Sequence, residues 1–286
     1  MQKYIDRANI LMEALPYIKR FNGITVVIKY GGSALINEDI KNTVVQDIAL
    51  MKFVGFKPVI VHGGGPDINH MLERLDIESN FINGLRVTDD DTMEVVEMVL
   101  AGKINKAITM ELAQQGINTV GVSGLDGRML KVEKMTPNGR DIGRVGQVVN
   151  VDTTLVKALL ENDFVPVISP IGFDENGETY NVNADYAAVA LASALKAEKL
   201  MFLTDVPGVL KDVDNPESII SMLNAKDAKD MLQDGTISGG MVPKVECCLT
   251  GIEAGVQQVH ILDGGTEHCL IMEIFTKDGI GTLFEK

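Results

Sequence analysis

The chain has 286 residues, 45% of them hydrophobic, with 40 acidic against 26 basic side chains and a formal net charge of −14. That length buries a large core as one α/β domain or two lobes, and the apolar content without a low-complexity tract excludes a disordered protein. The negative balance and the lack of a Lys/Arg cluster exclude nucleic-acid binding, which needs a cationic face.

Cys247, Cys248 and Cys269 are an odd set with two adjacent, so no disulfide framework is expected. No CxxC or HExxH spacing occurs, so no metal ion held by side chains is expected. The N-terminus shows no signal pattern and no apolar run reaches membrane-spanning length. A cytoplasmic protein with no membrane role follows as the expectation.

In chain order, residues 3–20 are read as an amphipathic helix with Ile5, Ala8, Met12, Leu15 and Ile18 at helical spacing. Pro16 is expected to kink it near Leu15, and Asn22-Gly23 to end it. Next comes ITVVIKYGGSAL (24–35): a β-branched strand, a Gly31-Gly32 stop, and Ser33 at a helix N-cap position. Such a turn aims free backbone N–H groups and a positive helix end at one point, where an anion can sit, with Lys29 beside it. VIVHGGGPDIN (59–69) repeats the arrangement, with Pro66 near the first helical position.

Apolar strands then alternate with helical patterns: TVVIKY, PVIVHGGG, TVGVSG, PVISPIG, KLMFLTD and QVHILDGG, with helices near 38–54, 66–75, 92–115, 153–162, 184–195, 225–233 and 242–255. The pattern predicts an α/β fold with a mostly parallel central sheet covered on both faces, a three-layer αβα sandwich. LKVEKM with GQVVNV, and the region around GETYNV, are read as antiparallel hairpins added at the sheet edge. Three parts are expected: an N-terminal helix (1–23), an N-lobe (24–178) and a C-lobe (179–286), the lobes forming one continuous domain. Ligands of open α/β sheets bind at the carboxyl ends of strands, where these glycine loops gather.

No G-x-x-x-x-G-K-[ST], G-x-G-x-x-G or G-x-S-x-G occurs, which argues against P-loop, dinucleotide and simple hydrolase readings. KYGGSAL, VHGGGP, NGLRVTD, NVNAD, LTDVPGVL and GGMVPK, in this order and spacing, instead resemble the amino acid kinase family over essentially all of Ile24–Lys286. The resemblance implies a kinase using ATP with Mg2+ bound through the phosphates. Arg86 within NGLRVTD resembles members acting on an acetylated amino acid, implying N-acetyl-L-glutamate as acceptor. It assigns Lys29 and Lys244 to the transferred phosphoryl group and Asp185 to orienting both lysines. Gly64 and Gly65 would hold the reacting carboxylate, and Arg86, Asn181 and Asn183 the rest of the substrate. Gly31, Gly32, Asp205 and Gly240 fall on the nucleotide side.

The chemistry agrees with that assignment. A γ-carboxylate is already ionised at neutral pH and needs no general base, which fits the lack of an obvious catalytic histidine. What must be handled is negative charge, and two ammonium groups, helix N-termini and Mg2+ do so by preorganisation. Removing one such cation is expected to cost about 10²–10³ in rate. Asn181, Asn183 and Asp185 alternate, so an extended segment would put them on one side, with Asp185 heading the next helix. His62 is read as a satisfied core histidine, and Met93, Met98 and Met110 as core filler.

Two further stretches resemble an arginine-inhibited subgroup. One is the helix before Ile24, which there pairs with a copy on a neighbouring dimer to build a hexamer (a trimer of dimers). The other is HCLIMEIFTKDGIGT (268–282), with His268, Glu273 and Gly281 as candidate contacts for L-arginine, against the alternative of an ordinary C-terminal strand. Some relatives also bind a PII-type signalling protein. Rival readings are carbamate kinase, aspartokinase, glutamate 5-kinase, uridylate kinase or a carrier-linked aminoadipate kinase within the same fold, or a non-catalytic arginine sensor.

Overall fold

The structure, a computed structural model, describes residues 1–31, 37–277 and 279–286. In chain order the strands are Thr25–Tyr30 (β1), Lys57–His62 (β2), Phe81–Ile82 (β3), Leu85–Arg86 (β4), Thr119–Ser123 (β5), Leu130–Lys134 (β6), Gly146–Val151 (β7), Val165–Ser169 (β8), Ile171–Phe173 (β9), Thr179–Asn181 (β10), Lys199–Thr204 (β11), Met222–Asn224 (β12), Gln258–Asp263 (β13) and Thr282–Glu285 (β14). The α-helices are Gln2–Phe21 (α1), Glu38–Phe53 (α2), Gly65–Arg74 (α3), Asp90–Glu97 (α4), Asn105–Gln114 (α5), Thr154–Glu161 (α6), Ala184–Leu195 (α7), Ala225–Gln233 (α8), Met241–Glu253 (α9) and Cys269–Phe275 (α10). A seven-residue π-helix, Met98–Ile104, joins α4 to α5.

Eight strands form one sheet in the order β12-β14-β13-β11-β1-β2-β8-β5. Pairing is parallel throughout except between β13 and β14. Alternate residues of the central strands feed two separate cores. Val26, Ile28 and Tyr30 of β1 pack with α2, α3, α5 and α10, while Val27 packs with α6, α7, α8 and α9 on the opposite face. Two apolar cores on either side of one sheet make the expected three layers.

The chain runs from β1 outward through β2 to β5 and β8, then returns to place β11 on the other side of β1. Strand order therefore reverses at β1, and the crevice lies over the carboxyl ends of β1, β2 and β11. Gly31, the Gly63–Gly65 loop and Asp205 follow those three ends.

Four expectations change. The hairpins do not extend the main sheet: β6 and β7, and β9 and β10, form a separate four-stranded sheet in the order β10-β9-β6-β7. Helix α7 fills the layer between, contacting β1, β2 and β11 on one side and β7 on the other. PVISPIG is two strands, because Pro170, which has no N–H to give a ladder, separates β8 in the large sheet from β9 in the small one. The segment after His268 opens as the helix α10 before the strand β14. Met98 and Met110, read as core filler, are exposed; α1 holds Pro16 within it and ends at Phe21, before Asn22 as expected. Among the described residues no helix is long and apolar enough to cross a membrane, and the three cysteines are buried free thiols.

Candidate active site

Lys29 sits on the central strand β1 one residue before its carboxyl end and is partly covered. Its Nζ lies 3.0 Å from Asp185 Oδ1. That oxygen accepts no aligned hydrogen bond, so the contact is ionic. The lysine chain folds over the following turn: a Cβ on Gly31 would fall 3.0 Å from Nζ. A glycine at 31 is thus what leaves the ammonium room. Gly32 and Ser33 lie outside the described residues.

Asp185 reaches this point from the first turn of α7, but Asn183 is the cap. Asn183 Oδ1 accepts from the N–H groups of Asp185 (2.8 Å) and Tyr186 (3.3 Å). The expected extended run from Asn181 to Asp185 is therefore corrected. The chain leaves β10 at Asn181 and is already helical at Ala184, because Asn183 satisfies the free amides of the turn.

Lys29, Gly31, Gly63–Gly65, Pro66, Asp67, Asn183, Ala184 and Asp185 enclose a cavity of about 160 Å³. It shares Gly63–Gly65, Asn183 and Ala184 with a second cavity of about 170 Å³, which adds Phe81, Arg86, Leu100, Val145, Pro170 and Asn181. Among the described residues, the N–H groups of Gly64 and Gly65 donate to no protein acceptor. Gly64 has no space for a side chain: a Cβ would fall 2.3 Å from Ile104 Cδ1 and 2.7 Å from Leu100 Cδ2, both on the π-helix.

Arg86 is buried, 6% exposed, and makes only neutral contacts. Its guanidinium donates to Ser79 Oγ at 2.6 Å and Gly65 O at 3.2 Å, and sits 4.7 Å from the Phe81 ring centroid. Among the described residues no carboxylate pairs with it. Burial lowers its pKa, the direction expected of a cation without a counter-ion. Thr88 ties the neighbourhood together, its hydroxyl donating to Arg86 O at 2.9 Å and accepting from Asn181 Nδ2 at 3.2 Å. Thr88 lies within NGLRVTD, whereas Ser79 and Phe81 carry no motif of their own, so the sequence offers no signal for those two beyond closeness to it.

A larger cavity of about 530 Å³ opens on the β11 side. Val206, Pro207, Val209, Leu210, Val213 and Ile237 give it apolar walls, and Asp205, Gly240 and Lys244 lie along it. The loop after β11 is held on the C-terminal strand by a 2.8 Å bond from Val209 N–H to Thr282 Oγ1. Lys244 comes from the first turn of α9. Burial raises the thiol pKa of Cys247, one turn later, to about 12; Asp185 adds to the rise, while Lys244 and Lys29 oppose it. Lys244 lines this large cavity, whereas Lys29 and Asp185 line the small one.

The remaining candidates lie elsewhere. His268 Nδ1 is 2.7 Å from the buried Asp47 Oδ1 on α2. Glu273 is engaged at both oxygens, with His260 Nδ1 at 2.7 Å and the N–H groups of Ile280 and Gly281 at 2.7 and 3.0 Å. His260 Nε2 in turn lies 3.3 Å from Lys199 Nζ, which also donates to Gln258. Burial lowers the Lys199 pKa to about 8. Lys199 borders a cavity of about 300 Å³ with Arg20, Phe21, Glu198, Gln258 and Glu285, at the opposite end of the sheet from the glycine loops.

Residues 25–263 match the model of the amino acid kinase family. The chain is 56% identical to a protein named acetylglutamate kinase from Thermoanaerobacter sp. (strain X514), over 288 residues that cover 100% of this chain and 96% of that one. Among solved structures it is similar to N-acetylglutamate synthase from Neisseria gonorrhoeae complexed with coenzyme A and N-acetyl-glutamate. That match has a TM-score of 0.86 and 26% identity, over 98% of this chain and 63% of that longer one. Carbamate kinase from Giardia lamblia bound to AMP-PNP shares the fold, with a TM-score of 0.68 at 18% identity, over 92% of this chain and 99% of that one.

Proposed function

The chain belongs to the amino acid kinase family, and from that premise we propose how its three cavities divide the work of a kinase. Its activity is the ATP-dependent phosphorylation of the γ-carboxylate of N-acetyl-L-glutamate, a step of arginine biosynthesis. The observation that carries the division of labour is the buried Arg86, a guanidinium with no counter-ion among the described residues, facing a cavity lined by unclaimed glycine amides.

In this reading Arg86 takes the substrate's α-carboxylate, for which its planar fork is suited. Asn181 and Asn183 flank the acetylamino group. Gly64 and Gly65 N–H groups hold the γ-carboxylate at the positive end of α3. The apolar walls of the large cavity suit an adenine, and Asp205 and Gly240 lie along the same space. ATP phosphates then extend from Lys244 toward Lys29 and Gly31. Lys29 and Lys244 neutralise charge that grows on the transferred group, and Asp185 holds Lys29 in place through the 3.0 Å contact. The acceptor oxygen attacks phosphorus as the bond to the leaving ADP oxygen breaks; no proton moves, because the acceptor is already ionised.

Among the described residues no group of three acidic or histidine side chains gathers to cage a metal. The two carboxylates of the small cavity, Asp185 and Asp67, are already paired, with Lys29 and Lys103. That donor set fits Mg2+ carried by ATP phosphates and water, supplying charge neutralisation on the β and γ oxygens. We also place arginine feedback at the segment bearing His268, Glu273 and Gly281. It is joined through His260 and Lys199 to the cavity at the end of α1. A hexamer through α1, a cytoplasmic location and a PII-type partner complete the proposal.

The test is ATP turnover with N-acetylglutamate, glutamate, aspartate and carbamate, each with and without arginine. Turnover is expected with the first alone, suppressed by arginine. Equal turnover of glutamate would sink the acetylamino reading, and arginine without effect would sink the feedback reading.

A further inference from the structure

The glycine loop can hold an acceptor only if its amides face the cavity, and the direction of one peptide is set from behind. Gly63 O is 2.9 Å from Nδ1 of the fully buried His62 ring, and Gly63 N–H donates to Tyr30 O at 2.9 Å. In a trans peptide C=O and N–H point to opposite sides. Holding Gly63 O against the ring therefore turns the Gly64 N–H away from it, toward the cavity that Gly64 lines.

The ring's protonation follows from Asn105, the first residue after the π-helix. Asn105 Nδ2 lies 2.8 Å from Val167 O and 3.2 Å from both Val122 O and His62 Nε2. Its Oδ1 accepts from Lys106 Nζ at 3.0 Å. An atom facing two carbonyls must be the NH2, which only donates, so His62 Nε2 is an acceptor and the proton sits on Nδ1. One of the two amide hydrogens is shared between Nε2 and Val122 O.

We propose that His62 is a positioning residue for the phosphoryl acceptor: held by Asn105 as the neutral Nδ1–H tautomer, it fixes the Gly63 peptide so that Gly64 N–H faces the reacting carboxylate. The inference rests on the reading of Gly64 as an acceptor amide. Burial, with a smaller push from Lys106, keeps the imidazole neutral by lowering its pKa to about 4. His62 touches neither substrate nor phosphate; it acts through one peptide bond.

Two variants of the full chain separate positioning from packing. His62→Gln reaches toward Asn105 but leaves Gly63 O without its donor; His62→Asn puts an NH2 close to the Nδ1 position and keeps that donor. His62→Gln is expected to lose about 10²-fold in kcat/KM for N-acetylglutamate, the scale of a small misplacement of a reacting group, with KM for ATP little changed. His62→Asn is expected to recover most of that loss. Equal losses in both variants, or lowered thermal stability with unchanged kinetics, would overturn the proposal. Nitrogen-15 spectra of ring-labelled histidine in the unmodified enzyme add a measurement that needs no variant to fold, and a His62 carrying its proton on Nε2 at neutral pH would overturn it as well. If the unmodified enzyme fails to turn over N-acetylglutamate, the substrate reading falls instead, and the ring spectra still decide the tautomer.

Discussion

At the scale of single residues, the site depends on places where a side chain is missing. Gly31 leaves room for the Lys29 ammonium, and Gly64 lies under the tips of Ile104 and Leu100. Gly64→Ala drives a methyl into buried π-helix side chains, overpacking that costs about 1–3 kcal/mol and lifts the loop from its position. The expected outcome is a raised KM and lowered kcat for N-acetylglutamate with an unchanged KM for ATP. Ile104→Ala in the same chain should restore part of the loss by removing the nearer of the two atoms that the methyl meets. Steady-state kinetics of the two single variants and the double variant check this, and additive losses would contradict the contact.

At the scale of elements, α1 has two halves with different surroundings. Tyr17 and Phe21 stack with Phe56 and Phe275, ring centroids 5.6–6.5 Å apart, and anchor its end to the body. Its first half leaves Tyr4, Ile5 and Met12 exposed at 70%, 44% and 63%. An apolar helical stripe anchored at one end fits pairing with a second copy, as the proposed hexamer requires. Deleting residues 1–12, which spares the aromatic anchor, is expected to leave a dimer with full turnover and weakened arginine inhibition. A sizing column and an arginine titration check it, and a truncated hexamer would end that role for α1. Helix α10 was hidden from sequence reading because Cys269–Phe275 is short and apolar. A run of that length does not distinguish strand from buried helix by periodicity. Asp47 acts on it from across the fold, its buried carboxylate meeting His268, the residue before the helix, at 2.7 Å.

For the whole molecule, buried neutral histidines set the acid limit. The unfolded chain protonates His62 near its ordinary 6.5, whereas burial holds the folded ring to about 4; burial also lowers the pKa of His260. Between those values the unfolded state binds more protons, so stability is full above about pH 6.5 and falls as pH drops. At 1.36 kcal/mol per unit, His62 alone accounts for a loss on the order of 3 kcal/mol by pH 4. Urea midpoints measured over this range should decline, and more shallowly in His62→Asn; a flat profile would contradict a neutral buried ring. The parallel sheet, the glycine loops and the family were legible in the chain because each is local: apolar runs of strand length, abrupt glycines, and six motifs in order. Lys29, Asp185 and Arg86 could be singled out for the same reason. What meets what could not be read. Asn183 rather than Asp185 caps α7, the hairpins form their own sheet, and His62, a satisfied core histidine as expected, meets Gly63 O at one nitrogen and Asn105 at the other. Each outcome depends on atoms brought together from distant stretches, where the competition to satisfy a buried donor or acceptor is settled only after the layers close.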